Sequence, residues 1–208
     1  MIITKIEPQK HRENRCSVFI DGKFAFGMDS VDIFTHKLRE NTEISRERLA
    51  FVTEKALYAK ALDKALQYLR QPRSRAQVEK RLLQEEYPAE VIAQALVKLE
   101  SYHYIDDEAY ARAFIRAAAR KNYGVRRIRQ ELWRRGVSRD LAGRLLEEDP
   151  PDQSALALEA LAKKYRLPPA GQQEKKRCYD YLCRRGFPFE AARAAVKEFC
   201  DGEEDERE

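Results

Sequence analysis

The sequence predicts a mainly α-helical protein in which three tandem three-helix repeats follow a small N-terminal β-hairpin element. The first observation is a helical segment at residues 124–137, GVRRIRQELWRRGV, whose apolar positions recur fifty residues earlier and fifty residues later. The matched trios are Val78, Ile128 and Cys178; Leu82, Leu132 and Leu182; Tyr87, Val137 and Phe187; and Leu96, Leu146 and Val196. The second observation is the hairpin signal Asp21-Gly22. A repeat period of this size is typical of stacked helical units.

The N-terminal element is predicted to be a sheet covered by a helix. With Asp21 and Gly22 as the turn, Phe19 pairs with Phe24, and Phe26 shares their face. Because an isolated hairpin is marginal in water, residues 2–6 are expected to add a third strand. The segment SVDIFTHKL at residues 30–38 is the candidate covering helix. The three phenylalanines could form a partner-binding patch, but we expect them to lie in the core.

From Ser45 onward the pattern is helical. Ser45 is a candidate N-cap, Ser74 and Gln77 form a capping-box pattern, and Asp106 is expected to cap the first helix of the second repeat. The predicted division is 1–53 for the β-hairpin and short helix, 54–105 for repeat 1, 106–150 for repeat 2, 151–200 for repeat 3 and 201–208 for an acidic disordered tail. Gly136 supplies the left-handed residue that ends the helix at residues 124–137.

Positive charge is concentrated in the second and third repeats. The formal net charge of the chain is +5, and 36% of its residues are charged, which is typical of thin, elongated helical arrays. Residues 112–144 contain eleven Arg or Lys against two acids. The candidate partner-binding residues are Arg112, Arg116, Arg126, Arg127 and Arg134 in repeat 2, and Lys176, Arg177 and Arg184 in repeat 3. Repeat 1 has Ala76, Gln77 and Gln84 at the positions of Arg126, Arg127 and Arg134. This comparison predicts that repeats 2 and 3 bind the partner and that repeat 1 mainly supports them.

No pattern in the sequence indicates catalysis or a bound metal or cofactor. There is no phosphate-binding glycine loop or nucleophile elbow, and His11, His36 and His103 are isolated in the sequence. The acids at 106–108 are better explained as a helix cap and first turn than as an acid/base pair. Cysteines 16, 178, 183 and 200 form no CxxC pair and are expected to be reduced cytosolic thiols, with Cys178 in the core. We predict a cytoplasmic protein that is not an enzyme, has no cofactor and does not contact a membrane.

Five segments carry a resemblance to a known family. YIDDEAYARAFIRA at 104–117, followed by GVRRIRQELWRRGV at 124–137, resembles the signature of RecX, the bacterial regulator of the RecA recombinase. LRQPRSRAQVEKRL at 69–82 and the N-terminal ITKIEPQK and SVFIDGKFAFG also resemble that family. The resemblance implies a curved array of three-helix repeats that lies in the groove of a RecA filament on single-stranded DNA. It also implies inhibition of strand exchange, ATP hydrolysis and coprotease function, and hence a role in DNA repair and the SOS response.

Two other functions are compatible with a basic helical array. A helix-turn-helix-like regulator would bind double-stranded DNA through the major groove, but base-reading side chains cluster at a helix N-terminus, whereas this cationic face runs along the whole helix. A purely structural scaffold leaves the uneven charge unexplained. We expect a monomer whose binding to free nucleic acid is weak, indifferent to sequence and sensitive to salt.

Overall fold

A computed structural model describes residues 1–9, 12–169 and 171–201 of the chain. Three β-strands, a short helix and a fourth strand are followed by nine further helices. The described ranges thus contain ten α-helices, and the predicted fold class is confirmed. The chain divides into two compact units. The first contains residues 1–71 and 78–105, and the second contains residues 72–77 and the chain from 106 onward. The predicted acidic tail, apart from Asp201, lies outside the described residues.

The N-terminal sheet belongs to the first unit. Its strands are β1 (Ile2–Gln9), β2 (Arg12–Ile20), β3 (Lys23–Asp29) and β4 (Thr42–Glu43), in the order β3-β2-β1-β4. The three long strands pair antiparallel. Asp21 and Gly22 have φ angles of 48° and 78° between β2 and β3. Positive φ at both central residues is the requirement of a type I′ turn, so the predicted hairpin is confirmed.

The aromatic face of the hairpin differs from the prediction. Phe19 pairs with Phe24, as predicted, and their ring centroids lie 5.9 Å apart in an edge-to-face arrangement. Phe26, however, pairs with Val18, because the register shifts by one residue between Val18 and Phe19. Phe24 is therefore 60% exposed, whereas Phe26 is 6% exposed and lies in the core. The prediction of a single buried aromatic face is wrong for Phe24, since an extra residue in one strand interrupts the alternation of faces. It is also wrong for Phe19, which is half-buried and lies between the core residues Val18 and Ile20.

Two helices complete the core against the sheet. These are α1 (Ser30–Thr35), which contributes Ile33, and α2 (Arg46–Tyr68), which contributes Val52 and Ala56. Ser45 caps α2, because its hydroxyl accepts the backbone N–H of Arg48. The helix α2 runs without a break across residue 53, the predicted end of the N-terminal domain.

The second half of α2 packs with the next two helices in a separate core of the first unit. These helices are α3 (Arg75–Gln84), of which residues 78–84 belong to this unit, and α4 (Ala89–Ser101). The core includes Ala61 and Ala65 of α2, Val78 and Leu82 of α3, and Val91, Leu96 and Leu99 of α4. The predicted apolar positions of repeat 1 therefore lie inside, as expected from their helical spacing.

The second unit contains two three-helix groups. The first is α5 (Asp107–Arg120), α6 (Val125–Arg134) and α7 (Arg139–Glu148), and the second is α8 (Gln153–Lys164), α9 (Gln172–Arg184) and α10 (Phe189–Asp201). Ile128, Leu132, Cys178 and Leu182 are all buried, so their predicted core positions are confirmed. Asp106 caps α5 by accepting the backbone N–H of Ala109 at 2.8 Å.

The residue that ends the middle helix is left-handed in all three repeats. Gly136 and Gly186 have φ angles of 80° and 87°, and the equivalent Glu86 has a φ angle of 59°. A left-handed residue with a side chain costs about 1–2 kcal/mol. Glycine removes that cost but also raises the conformational entropy of the unfolded chain. That entropy lowers the free energy of unfolding by about 0.4–1 kcal/mol and so cancels part of the gain. We expect Glu86→Gly to stabilise the first unit by about 0.5–1 kcal/mol, measured by urea denaturation.

The adjacent Glu85→Gly is the matched control for this prediction. Glu85 forms ion pairs with Lys64 at 3.0 Å and with Arg81 at 2.6 Å. Its removal is expected to lower the unfolding midpoint because neither ion pair can form. A lower midpoint for Glu86→Gly as well would contradict the strain at position 86.

Candidate partner-binding surface of the second unit

The first turn of α6 and the last turn of α9 are joined through backbone atoms. The N–H of Gly124 donates to the carbonyl of Arg185 at 2.9 Å, and the N–H of Arg126 donates to the carbonyl of Gly186 at 3.0 Å. Free amides at the start of one helix thus satisfy free carbonyls at the end of another, and the two helix dipoles meet with opposite signs. A Cβ on Gly124 would overlap main-chain atoms of Gly186 and Phe187. We call this contact the α6–α9 joint.

An equivalent contact lies fifty residues earlier within the second unit. The hydroxyl of Ser74 donates to the carbonyl of Arg135, and a Cβ on Gly136 would overlap the side chain of Ala76. Ser74 and Gln77 also exchange the two hydrogen bonds of the predicted capping box, at 3.1 and 3.3 Å. The fifty-residue offset therefore relates the contacts as well as the helices. Sequence reasoning missed both contacts, because Ser74 and Gly124 occupy the same position with different side chains.

Arg127, a predicted partner-binding residue, takes part in the packing around this joint. Its guanidinium lies 4.0 Å from the centroid of the Tyr123 ring, and the guanidinium of Arg185 lies 5.2 Å from the same centroid. The Nε of Arg185 donates to the carbonyl of Asn122 at 2.9 Å. Arg127 is half-buried, so part of its surface is committed to the fold.

Arg112 belongs to a closed ring of two arginines and two glutamates that links α5 and α7. Glu108 pairs with Arg112 and Arg144, each at 2.9 Å, and Glu148 pairs with the same arginines at 2.7 and 3.0 Å. Hydrogen bonds from Arg144 and then Arg112 lower the pKa of Glu108, and hydrogen bonds from Arg112 and then Arg144 lower the pKa of Glu148. Arg112 is therefore balanced by neighbouring carboxylates. Both glutamates lie outside the 112–144 window, which is why the sequence count missed them.

The remaining predicted residues are exposed on α5, α6 and α9. Arg134 pairs with Glu131 at 2.7 Å. Five cations have no ion pair within the described part of the chain, and these are Arg116, Arg126, Lys176, Arg177 and Arg184. The α6–α9 joint brings Arg126 beside the turn that follows Arg184. Lys176 lies about 12 Å along α9 from Arg184, at 1.5 Å per residue. The structure thus brings some of these cations together and spreads the others along one helix.

The histidines and cysteines of the described chain do not form a metal-binding or catalytic cluster. Within residues 1–9, 12–169 and 171–201, no set of three or more His, Cys, Asp or Glu side chains is arranged to hold a metal ion. His36 packs edge-on against Phe51, His103 is exposed with a φ angle of 56°, and His11 lies outside the described residues. Burial raises the pKa of Cys178 and of Cys200, which disfavours their reactive thiolate forms.

None of the helices in the described part of the chain combines the length and the apolar character that crossing a bilayer requires.

Four family models match the chain in order. They are the regulatory protein RecX N-terminal domain at residues 1–45 and the RecX first, second and third three-helix domains at 61–99, 106–146 and 152–196. The regulatory protein RecX of Levilactobacillus brevis is 34% identical over 198 residues, which cover 92% of this chain and 73% of that protein. The RecX of Clostridium beijerinckii is 27% identical, with 94% of each chain covered.

A solved structure gives the same result. It is described as the crystal structure of regulatory protein RecX, is 28% identical in sequence and superposes with a TM-score of 0.69 over 95% of this chain and 98% of its own. The N-terminal element and all three helical repeats therefore have their counterparts in one family. This chain belongs to the RecX family of regulatory proteins.

Proposed function

We propose that this chain binds the RecA nucleoprotein filament on single-stranded DNA and mainly inhibits its recombinase, ATPase and coprotease activities. Family membership supports a regulatory role, and the resemblance described above implies the filament as the partner. In this proposal the protein acts in the cytoplasm as a monomer, is not an enzyme and binds no cofactor. Its affinity for free nucleic acid is weak and does not depend on sequence.

The observation that carries this proposal is the α6–α9 joint with the unpaired cations around it. The hydrogen bonds from Gly124 and Arg126 hold α6 against the last turn of α9. The helices that carry cations in two repeats are thus held in a fixed arrangement before any partner binds, which lowers the entropic cost of association. Exposed cations are common on protein surfaces. A backbone contact that brings cation-bearing helices of two repeats together is a more specific indication of a binding surface than exposed charge alone.

The domain assignment is part of the proposal. Repeats 2 and 3, at residues 106–150 and 151–200, would provide the binding surface, and repeat 1, at 54–105, would support it. The N-terminal element at 1–53 and the tail at 201–208 have no assigned contact. The candidate partner-binding set remains Arg112, Arg116, Arg126, Arg127, Arg134, Lys176, Arg177 and Arg184. Within it, the five cations without an ion pair are expected to contribute most.

The contacts of α6 weigh against the helix-turn-helix alternative. A helix that reads bases inserts the side chains of its N-terminal end into the major groove. In this chain the first turn of α6 is packed against the carbonyls of Arg185 and Gly186. A groove-reading role would require that contact to open. Contacts along the exposed side of α6 require no such change.

Alanine variants of α9 provide the test of this function. The three substitutions are Lys176→Ala, Arg177→Ala and Arg184→Ala, made together. All three side chains are exposed, so the fold is expected to remain intact. We expect the triple variant to lose most of the inhibition of DNA-stimulated RecA ATP hydrolysis, because its cationic face is removed.

A matched control removes three exposed lysines from the first unit. The control substitutions are Lys55→Ala, Lys60→Ala and Lys80→Ala, which change the net charge by the same amount. This variant is expected to inhibit as the unaltered protein does. Equal inhibition by both variants would contradict the assignment of the surface. Failure of the unaltered protein to lower ATP turnover would contradict the proposed function itself.

A further inference from the structure

A cationic pocket lies where α5, α8 and α9 meet in the second unit. It is open to solvent, has a volume of about 360 Å³ and is lined by Arg120, Lys121, Asn122, Tyr123, Ala160, Lys163, Lys164, Tyr181 and Arg185. Five of these nine residues are cationic and none is acidic. None of these nine positions belongs to the partner-binding set predicted from the sequence. The pocket is therefore a separate candidate binding site.

The wall of the pocket is fixed by hydrogen bonds around Asn122. This residue is 2% exposed and has a φ angle of 54°. Its side-chain amide donates to the carbonyl of Leu156 at 3.4 Å, and its backbone carbonyl accepts from Arg185. The guanidinium of Arg185 also donates to the carbonyl of Lys121. The pocket is therefore formed before a ligand binds.

Three of the lining cations are exposed and have no ion pair in the described part of the chain. These are Arg120, Lys121 and Lys164, whereas Lys163 pairs with Glu159. Like charges held around one concave space repel one another, so an anion that enters it is favoured. Arg116 lies four residues before Arg120 on α5, on the same side of the helix. The positive charge thus continues from the pocket along α5.

The pocket is open and concave, which suits a thin and flexible polyanion. The grooves of a duplex instead receive convex protein elements such as a helix. A single nucleic-acid strand is thin and flexible and carries a phosphate on every nucleotide. The ring of Tyr123 is already contacted by Arg127 and Arg185, so this ring is poorly placed to stack on a base.

We propose that this pocket binds backbone phosphate of single-stranded nucleic acid, without reading its bases. Arg120, Lys121 and Lys164 make the ionic contacts, and Arg185 with Asn122 maintains the wall. The inference rests on the proposed function, because the single strand that we expect in the pocket is the DNA strand of the recombinase filament. It adds a second contact site, which would bind the DNA rather than the protein of that filament.

The test uses Arg120→Ala/Lys164→Ala and a control with the same charge change. The control is Arg193→Ala/Lys197→Ala on α10, where the nearby cavity also contains Glu190 and Asp201. Binding of labelled oligodeoxythymidylate is measured by fluorescence anisotropy between about 50 and 200 mM salt. Polyglutamate serves as the competing acidic polymer. Circular dichroism confirms that both variants are folded.

The pocket variant is expected to give a shallower plot of log affinity against log salt. The slope should fall by about 0.7 for each phosphate that the variant no longer neutralises, up to about 1.4 for two phosphates. The control should keep the slope of the unaltered protein. The inference would be overturned if the pocket variant kept the slope of the unaltered protein, or if the slope of the control fell by the same amount. It would also be overturned if the pocket substitutions weakened binding to polyglutamate but not to the oligodeoxythymidylate. An absence of single-strand binding by the unaltered protein at the lowest salt concentration would overturn it as well.

The same proteins in the RecA ATPase assay separate this inference from the proposed function. If the unaltered protein does not lower ATP turnover, the proposed function fails whatever the salt slopes show. If it lowers turnover while the pocket variant keeps its slope, the pocket inference alone fails.

Discussion

Leu132→Ala is expected to lower the free energy of unfolding of the second unit by about 2–5 kcal/mol, the usual cost of truncating a buried leucine. The Leu132 side chain is 0% exposed and belongs to the core of α5, α6 and α7 with Ile128, Val137 and Leu145. Removing three carbon atoms there leaves a cavity and also forfeits their hydrophobic transfer energy. The surrounding helices cannot close the cavity without disturbing their own packing.

The fluorescence of Trp133 provides the measurement. It is the single tryptophan of the chain and lies in α6 beside Leu132, so its emission reports on the second unit during urea denaturation. Leu167→Ala is the matched control, because Leu167 is 73% exposed and its truncation should change stability by less than about 0.5 kcal/mol. If Leu132→Ala does not change the urea midpoint of unfolding, then a different face of α6 is buried.

The sequence was sufficient to predict features that depend on local chemistry or on periodicity. The spacing of Ile128 and Leu132 identifies the buried side of α6 in any packed helix. Ser45 and Asp106 cap their helices as predicted, because a cap needs only a side-chain oxygen and an amide three residues later. The hairpin turn at Asp21-Gly22 depends on two neighbouring residues. Features of this kind are settled within one element.

Features that depend on distant elements were not predicted. Glu108 and Glu148 are forty residues apart, and only the packing of α5 against α7 brings both to Arg112. The exposure of Phe24 depends on a register shift in the pairing of β2 with β3. Neither follows from alternation or helical spacing.

The candidate surface shows the same division. The exposed cations on α6 and α9 follow from the amphipathic pattern of each helix. The contact of Arg127 with the Tyr123 ring is local, because the two residues are four apart. The packing of Arg185 on the same ring and of Gly186 against Arg127 does not follow from the pattern, because it requires the last turn of α9 to lie against α6. A signal was present in the glycines at 124, 136 and 186. Their spacing marks positions of close backbone approach, but it does not identify which chain segments approach.

Gly124→Ala is expected to destabilise the second unit by about 3 kcal/mol, near the upper end of the usual cost of overpacking. The added Cβ would overlap main-chain atoms of Gly186 and Phe187. Because the overlapping atoms belong to the backbone, no change of rotamer can relieve the overlap. The α6–α9 joint must then widen, which separates the N–H groups of Gly124 and Arg126 from their acceptors.

Gly143→Ala is the matched control and is expected to have the opposite effect. Gly143 lies inside α7, and a Cβ there would have no neighbouring atom within 4 Å. Alanine is favoured over glycine in a helix interior by about 1 kcal/mol, so this variant should be more stable than the unaltered protein. Both midpoints are measured by Trp133 fluorescence in urea. If the two alanine variants shift the midpoint in the same direction, the backbone contact at Gly124 does not limit the stability at that position. The α6–α9 joint, in which Arg126 donates to the carbonyl of Gly186, would then not be a rigid contact.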